Sequence, residues 1–439
     1  MNTKPLLFCP RWLVPVVPHN TNYRDYAVLV ERGKISAIGP REELIVRHPD
    51  AERIELNDHV LLPGFINAHT HAAMSLLRGI ADDLPLETWL HDHIWPAEAK
   101  WVDEQFIEDG SELAIAEMLS GGTTCFSDMY FFPELTAKVA QEMGIRAVVG
   151  SIVLDFPTIG GDNADEYIAK GLTLHDELQA YSNVYTSFAP HSPYAVSDEP
   201  LLRVQTLADE LQIPIHIHVH ETEHEVNESL ALHEQTPLDR LEDLGLLTPR
   251  LVTVHMTLLD DVQINKLAEF GVSVVHCPES NMKLASGICP VSKLLEADVN
   301  VALGTDGAAS NNDLCMFGEM RSASLLAKVS SGDASALPAW QALEMATING
   351  AKALNLDSEI GSIEVGKAAD MIAVNLSSFA TSPVYDPVSA LVFSCSRDQV
   401  SDVWVNGNHL VKKGQLSSVN TPNLVATANK WAERISTIK

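Results

Sequence analysis

IPIHIHVHETEH, residues 213–224, can be divided in two ways, and the division decides the fold. Its last five residues, His220 to His224, match HExxH, the zinc site that many metallopeptidases carry on a helix with the two histidines one turn apart. The residues before them alternate isoleucine or valine with histidine at period two, which is the pattern of a strand. The chain is therefore still extended where that helix would have to begin, and the HExxH match is accidental. As a strand end, the segment puts His216, His218 and His220 on one face, only one of them at the depth to bind a metal while the others fill layers of a barrel, and leads into Glu221. On this reading, replacing His224 spares metal binding; on the peptidase reading it abolishes it.

Seven more runs of the same kind surround it: VLLPGFINAHTH (60–71), GTTCFSDM (122–129), IRAVVGSIVL (145–154), NVYTSFAPHSPY (183–194), LVTVHM (251–256), VSVVHCP (272–278) and VNVALGTDG (299–307). Each is separated from the next by a segment able to form a helix, the rhythm of repeated βα units around a parallel sheet. RAVVGSIVL and VNVALG are apolar at successive positions, as strands buried on both faces are. Eight such units close a (β/α)8 TIM barrel; a doubly wound open sheet is the structural alternative. The ends of the chain differ. Residues 1–59 and 365–439 carry short alternating strands such as YAVLVERGKISAIG, AADMIAVN and VSDVWVNGNHLVKKGQ, punctuated by Gly and Asn. Both flanks together form a small β-sandwich domain, with the catalytic barrel spanning 60–364.

The 439 residues are 46% apolar and 20% charged, with a formal net charge of -30, which fits a packed globule and opposes binding to phosphate backbones or anionic lipid. Neither a nucleic acid nor a membrane partner is expected. The N-terminal stretch is broken by Pro5, Pro10, Pro15 and Pro18, unlike a signal segment or a spanning helix, so a cytoplasmic protein is expected. Six scattered cysteines show no CxxC pair and read as buried thiols, Cys277 included, although it sits beside the candidate site.

The chemistry lies where polar residues end apolar runs. His69, His71, His191, His218, His255, His276 and Asp306 all do so. Any one of these histidines alone is more often a hydrogen-bonded core residue than a ligand, but C-terminal strand ends converge on one mouth, where barrel enzymes do their chemistry. His69 and His71, two apart on a strand end, point the same way and can reach one ion. Asp306 can bind the same ion and take a proton from water. Three imidazoles and a carboxylate suit one divalent metal ion per subunit, Zn2+ in the first place, with Fe2+ as the alternative.

PGFINAHTH, HVHET, VTVHM, HCPESNMKL and LGTDGAASNND, with GSIEVGKAADMIAV in the flank, resemble in order and spacing the amidohydrolase superfamily, and within it the 5'-methylthioadenosine/S-adenosylhomocysteine deaminases. The resemblance covers nearly the whole chain. It implies hydrolytic deamination of an adenine nucleoside (5'-methylthioadenosine, S-adenosylhomocysteine or adenosine) to the inosine product and ammonia. His69, His71, His218 and Asp306 are the implied metal ligands, Asp306 also taking the proton of the activated water. Glu221 is the implied proton shuttle to the ring nitrogen and His255 the residue that orients the hydroxide. The loop after the first strand, residues 72–100, is the implied specificity loop. In it Trp89 packs near the base and Glu98 accepts hydrogen bonds from the ribose hydroxyls, for which a carboxylate is well made. His191 would hydrogen-bond the purine, with Ser310 nearby. LDFPTIGGDNADEYIAK, residues 154–170, lacks the arginine that some members of the family use to meet a distal carboxylate, which shifts preference toward methylthioadenosine or adenosine.

Guanine deaminase and chlorotriazine hydrolase are the rivals within the superfamily. A dinuclear cyclic-amide hydrolase would need a lysine at the end of the fourth strand, and NVYTSFAPHSPY has none. The zinc cytidine deaminases of another fold would need P-C-x-x-C, which does not occur. Superfamily resemblance also leads to the expectation of a homo-oligomer, a dimer or a tetramer.

Overall fold

The computed structural model describes residues 4–436. Eight strands form one parallel sheet in strict chain order: β1 (Phe65–Thr70), β2 (Thr123–Tyr130), β3 (Arg146–Val153), β4 (Val184–Pro190), β5 (Ile215–Val219), β6 (Leu251–His255), β7 (Ser273–His276) and β8 (Asn300–Leu303). All eight expected runs are present. β3 is buried at all eight of its positions, as its unbroken apolar character requires.

The sheet curls into a nearly closed barrel. No ladder joins β8 to β1 among the described residues; side chain and backbone beyond β8 make the seam instead. Asn67 accepts the Thr305 amide at 2.9 Å and donates to the Thr305 hydroxyl at 2.7 Å, and the Asp306 amide donates to the His69 carbonyl at 3.0 Å. Gly304 permits this approach, because a Cβ there would lie 2.8 Å from the His69 Cβ. The glycine of LGTDG thus lets the Asp306 strand end sit against the His69 strand end.

Helices follow the strands on the outside, several of them entered through a side-chain cap that the sequence supplies. Asp103 accepts the Phe106 amide at the start of Glu104–Ser120, Asn163 the Glu166 amide at Ala164–Leu178, and Asp260 with Gln263 forms a capping box at Asp261–Phe270. Thr222 caps Glu223–His233, so His220 lies before the helix and the HExxH spacing is never realised on one helix face.

Both chain ends meet in a separate nine-stranded sheet. Its centre pairs Glu52–Pro63 antiparallel with Met371–Asn375, Pro63 opposite Met371. Three strand steps separate Phe8 from Trp404, about 14 Å in a flat sheet, yet their rings meet edge to face at 4.9 Å. The sheet therefore folds back over itself around Phe8, Val28, Leu61, Met371 and Trp404.

This sheet runs to Pro63, past residue 59, because the VLLP part of VLLPGFINAHTH pairs with Met371–Asn375 and only FINAHT enters the barrel. The C-terminal flank is also not all sheet: Pro387–Phe393 packs on the outer helices of the barrel, and Thr421–Ser436 lies along Glu104–Ser120. Beneath the barrel, Arg146 of β3, 1% exposed, donates to Asp370 at 3.0 Å and to Asn406 at 3.0 Å, tying the two sheets together.

Candidate active site

His69 sits near the end of β1 and His71 just beyond it, with His218 one residue from the end of β5 and His255 closing β6. Asp306 follows β8. Alternation along β1 and β5 turns His69 and His218 inward, and their Nε2 atoms approach to 3.2 Å. The Asp306 Oδ1 lies 3.4 Å from the His69 Nε2 and 3.2 Å from the His71 Nε2. Five groups thus converge in two overlapping sets, His69, His71 and Asp306 on one side and His69, His218 and His255 on the other, within 4.8 Å in each set. Two residues hold backbone conformations that L-residues seldom adopt, His255 at φ 76° and Asp306 at φ 63°, the local strain that tends to collect at functional sites.

Each inward ring is fixed by its far nitrogen. The Nδ1 of His71 meets the Met129 carbonyl at 2.5 Å and that of His218 meets the His191 carbonyl at 2.8 Å. His69 Nδ1 meets His216 Nε2 at 2.9 Å, and His255 Nδ1 meets Asn281 Oδ1 at 2.8 Å. The Asp306 Oδ2 accepts from Ser280 at 2.6 Å and from Ser310 at 2.9 Å. Ser310, expected at the substrate, therefore turns its single hydroxyl proton to the carboxylate and acts on its orientation.

The electrostatics call for a cation. Burial pushes the Asp306 carboxyl up, but the imidazoles of His69 and His71 outweigh it and hold the group well below the usual carboxylate range. Burial likewise favours neutral His71, yet Asp306 overrides it and raises that imidazole, whereas burial lowers His69 to about 4 and His218 well below its ordinary value. Without an ion, one proton is thus drawn against the carboxylate among rings that burial keeps neutral. Neutral imidazoles and an ionised carboxylate are the donor set that zinc takes.

Around this cluster, Glu221 reaches the His255 Nε2 at 3.8 Å, and burial raises its carboxyl. Burial holds the His191 imidazole near 4, so it is neutral at ordinary pH. Across the mouth, Glu98 accepts a hydrogen bond of 2.6 Å from Tyr130 at the end of β2. Trp89 is 6% exposed, and its indole nitrogen has no partner among the described residues.

His276 ends β7 but stays outside both sets. His220 is held between the Leu258 carbonyl and the Leu238 amide, and His224 stands at the surface against Glu87 at 3.2 Å. Cys277 packs among Ala68, Val254, Val275 and Ala302, burial keeping its thiol well above the ordinary range. The sequence reading missed Tyr130, His216, Ser280 and Asn281 as partners. HCPESNMKL drew attention to the right loop, but nothing in spacing marks which of its polar residues face inward.

A barrel with this strand-end cluster and a sheet from both chain ends defines the amidohydrolase class. Residues 60–410 match the amidohydrolase family, to which the chain belongs, and residues 27–51 match a bacterial imidazolonepropionase-like composite domain. The chain is 50% identical over 430 residues to the 5-methylthioadenosine/S-adenosylhomocysteine deaminase of Saccharophagus degradans, covering 98% of this chain and 96% of that one. Its identity to the protein of the same name from Teredinibacter turnerae is 48% over 424 residues, 97% and 96% of the two chains. The fold matches an adenosine deaminase from Xanthomonas campestris with bound zinc at a TM-score of 0.96 and 48% identity, covering 99% of each chain. The resemblance found in the sequence motifs is borne out at the level of subgroup. No helix among the described residues is long and apolar enough to cross a membrane.

Proposed function

We propose that the protein hydrolyses the C6 amino group of adenine nucleosides, 5'-methylthioadenosine, S-adenosylhomocysteine and adenosine, giving the inosine product and ammonia. The observation that carries this reading is that a buried Glu221 and the Asp306 cluster face one mouth, with Glu98 held across it by Tyr130. His69, His71, His218 and Asp306 would hold one divalent cation, zinc by the nature of the donors. When bound there, the cation makes water acidic enough to supply hydroxide near neutral pH.

The oxygen of water adds to C6 and the C6–N bond breaks. Asp306, kept ionised by its imidazole neighbours, takes the proton of the attacking water. Glu221, whose burial lets it hold a proton at higher pH than a surface carboxylate, delivers one to N1 so that C6 becomes electrophilic. His255, aimed by Asn281, orients the attacking oxygen; the proton taken up by Asp306 leaves with ammonia, and Glu221 takes back the C6 hydroxyl proton as the carbonyl of the product forms. His191, neutral, meets the purine edge; Trp89 packs near the base; Glu98 accepts from the ribose hydroxyls. Residues 154–170, after β3, carry no arginine to meet a distal carboxylate, which supports a preference for methylthioadenosine or adenosine.

The test is loss of adenine absorbance with ammonia release by zinc-loaded protein given methylthioadenosine, S-adenosylhomocysteine, adenosine, adenine and guanine. Turnover of nucleosides but not of free bases is expected, with kcat/KM higher for methylthioadenosine than for S-adenosylhomocysteine. Activity on guanine or a chlorotriazine with none on any nucleoside would overturn the reading and keep only the metal cluster.

A further inference from the structure

The imidazoles proposed to hold the cation differ in what fixes them. His71 and His218 direct Nδ1 at backbone carbonyls, those of Met129 and His191, which no substitution removes. His69 directs Nδ1 at a side chain, the Nε2 of His216, at 2.9 Å. The two rings are 14° from parallel with centroids 5.0 Å apart, so at that nitrogen separation they lie edge to edge and almost coplanar, an alignment suited to an in-plane N–H···N hydrogen bond.

We infer that His216 is a positioning residue for the metal centre: it accepts the Nδ1 proton of His69, fixing the tautomer and ring plane that present the His69 Nε2 to the ion. The inference rests on the proposed ligand role of His69. To bind an ion between Asp306 and His218 its Nε2 must be free of a proton, so the ring proton sits on Nδ1, and a donor there needs an acceptor. His216 is 2% exposed, carries its own proton on Nδ1, and that nitrogen has no partner among the described residues. A core chosen for packing alone would gain by an apolar side chain at such a position, since an unpaired buried polar group is costly. A neutral imidazole is also a weaker acceptor than a carboxylate, so it aligns His69 without making the ring more anionic and the ion less electrophilic.

The test is zinc affinity, read by competition with a chromogenic chelator at fixed pH, with the melting temperature of each metal-free protein measured alongside. His216→Leu should bind zinc about 10–100-fold more weakly, the usual cost of losing an outer partner. His216→Gln, whose amide oxygen can accept the same proton, should recover most of the affinity. His71→Ala serves as reference and should lose tight binding. If His71→Ala loses zinc but His216→Leu binds like the unaltered protein, the inference about His216 fails and the metal centre stands. Equal zinc loss in the Leu and Gln variants, with equally lowered melting temperatures, also overturns it in favour of packing. If His71→Ala itself keeps tight binding, the metal centre is wrong and the inference falls with it.

Discussion

The strand ends and the loop over them are built by different means. At the strand ends His71, His218 and His255 are each fixed by a hydrogen bond to a neighbouring barrel strand or the segment that follows one, so their positions follow from the sheet register. The loop of residues 72–102 has short helices and a π-helical turn at Leu90–Ile94, and it is held by burying Trp89, Ile94 and Ala97 against Phe106 and Trp431. The Tyr130 hydrogen bond to Glu98 is one of its polar anchors, beside those of Lys283 to Asp82 at 2.7 Å and of the Ala72 amide to Asp128 at 2.7 Å. On the proposed function, chemistry rests on the strand ends and substrate choice on a separately packed cover, a division that lets one change while the other stays.

This division makes damage at the two places distinguishable. Glu221→Gln removes the proton donor and leaves the shape, so kcat should fall about 100- to 10,000-fold with zinc content unchanged in steady-state kinetics paired with metal analysis. A kcat near that of the unaltered enzyme would mean that another group protonates the ring. Trp431→Ala acts on the cover from behind. It empties a site 2% exposed and removes the indole hydrogen bond to Asp109 at 2.8 Å, at a cost of about 3–5 kcal/mol in stability. The melting temperature should drop and KM for nucleosides rise, while kcat at saturation and zinc affinity change little. A variant that lost zinc would show that the C-terminal helix supports the strand ends as well.

Glu98→Gln weakens acceptance of the ribose hydroxyls by about 1.5–3 kcal/mol, about a 10–100-fold loss in kcat/KM for nucleosides. Tyr130→Phe frees that carboxylate without removing it, and a neutral hydrogen bond of about 0.5–1.5 kcal/mol predicts a smaller loss in the same direction. If both variants left nucleoside kcat/KM unchanged, Glu98 would be a structural partner of Tyr130 alone.

The same contrast explains what could be read from sequence. The eight strands and the gathering of His69, His71 and Asp306 were legible because short apolar runs closed by a polar residue survive in one dimension, whereas the choice of His218 among His216, His218 and His220 came through the resemblance. Glu98 and Trp89 came only through family resemblance, since the loop has no periodicity that fixes a direction. The break at Gly64, where one apolar run serves two sheets, was hidden because VLLP and the FI after Gly64 are equally apolar; the structure separates them by what each pairs with, Met371–Asn375 in one case and β2 in the other. Ser310 also came only through the resemblance, and the structure turns its hydroxyl onto the Asp306 carboxylate at 2.9 Å. The C-terminal helix, far from the mouth in sequence, reaches the cover through Trp431.

His276 tests the idea that a strand-end position is enough. It closes β7 as His255 closes β6, yet it joins neither set of converging donors, and burial followed by the neighbouring His255 lowers its imidazole to about 3. An unfolded histidine titrates near 6.5. Between those values the unfolded chain binds more protons than the folded one, so stability rises with pH there and is lost as pH falls from 6.5 toward 3. One unit below the unfolded value the loss is about 1 kcal/mol. His276→Leu, which removes a titrating group whose Nδ1 has no partner among the described residues, should therefore melt at a similar or higher temperature at pH 7.5. It should also lose less on going to pH 5.5 than the unaltered protein does. If His276 instead contributed to zinc binding, the Leu variant would release the metal, and strand-end position alone would suffice after all.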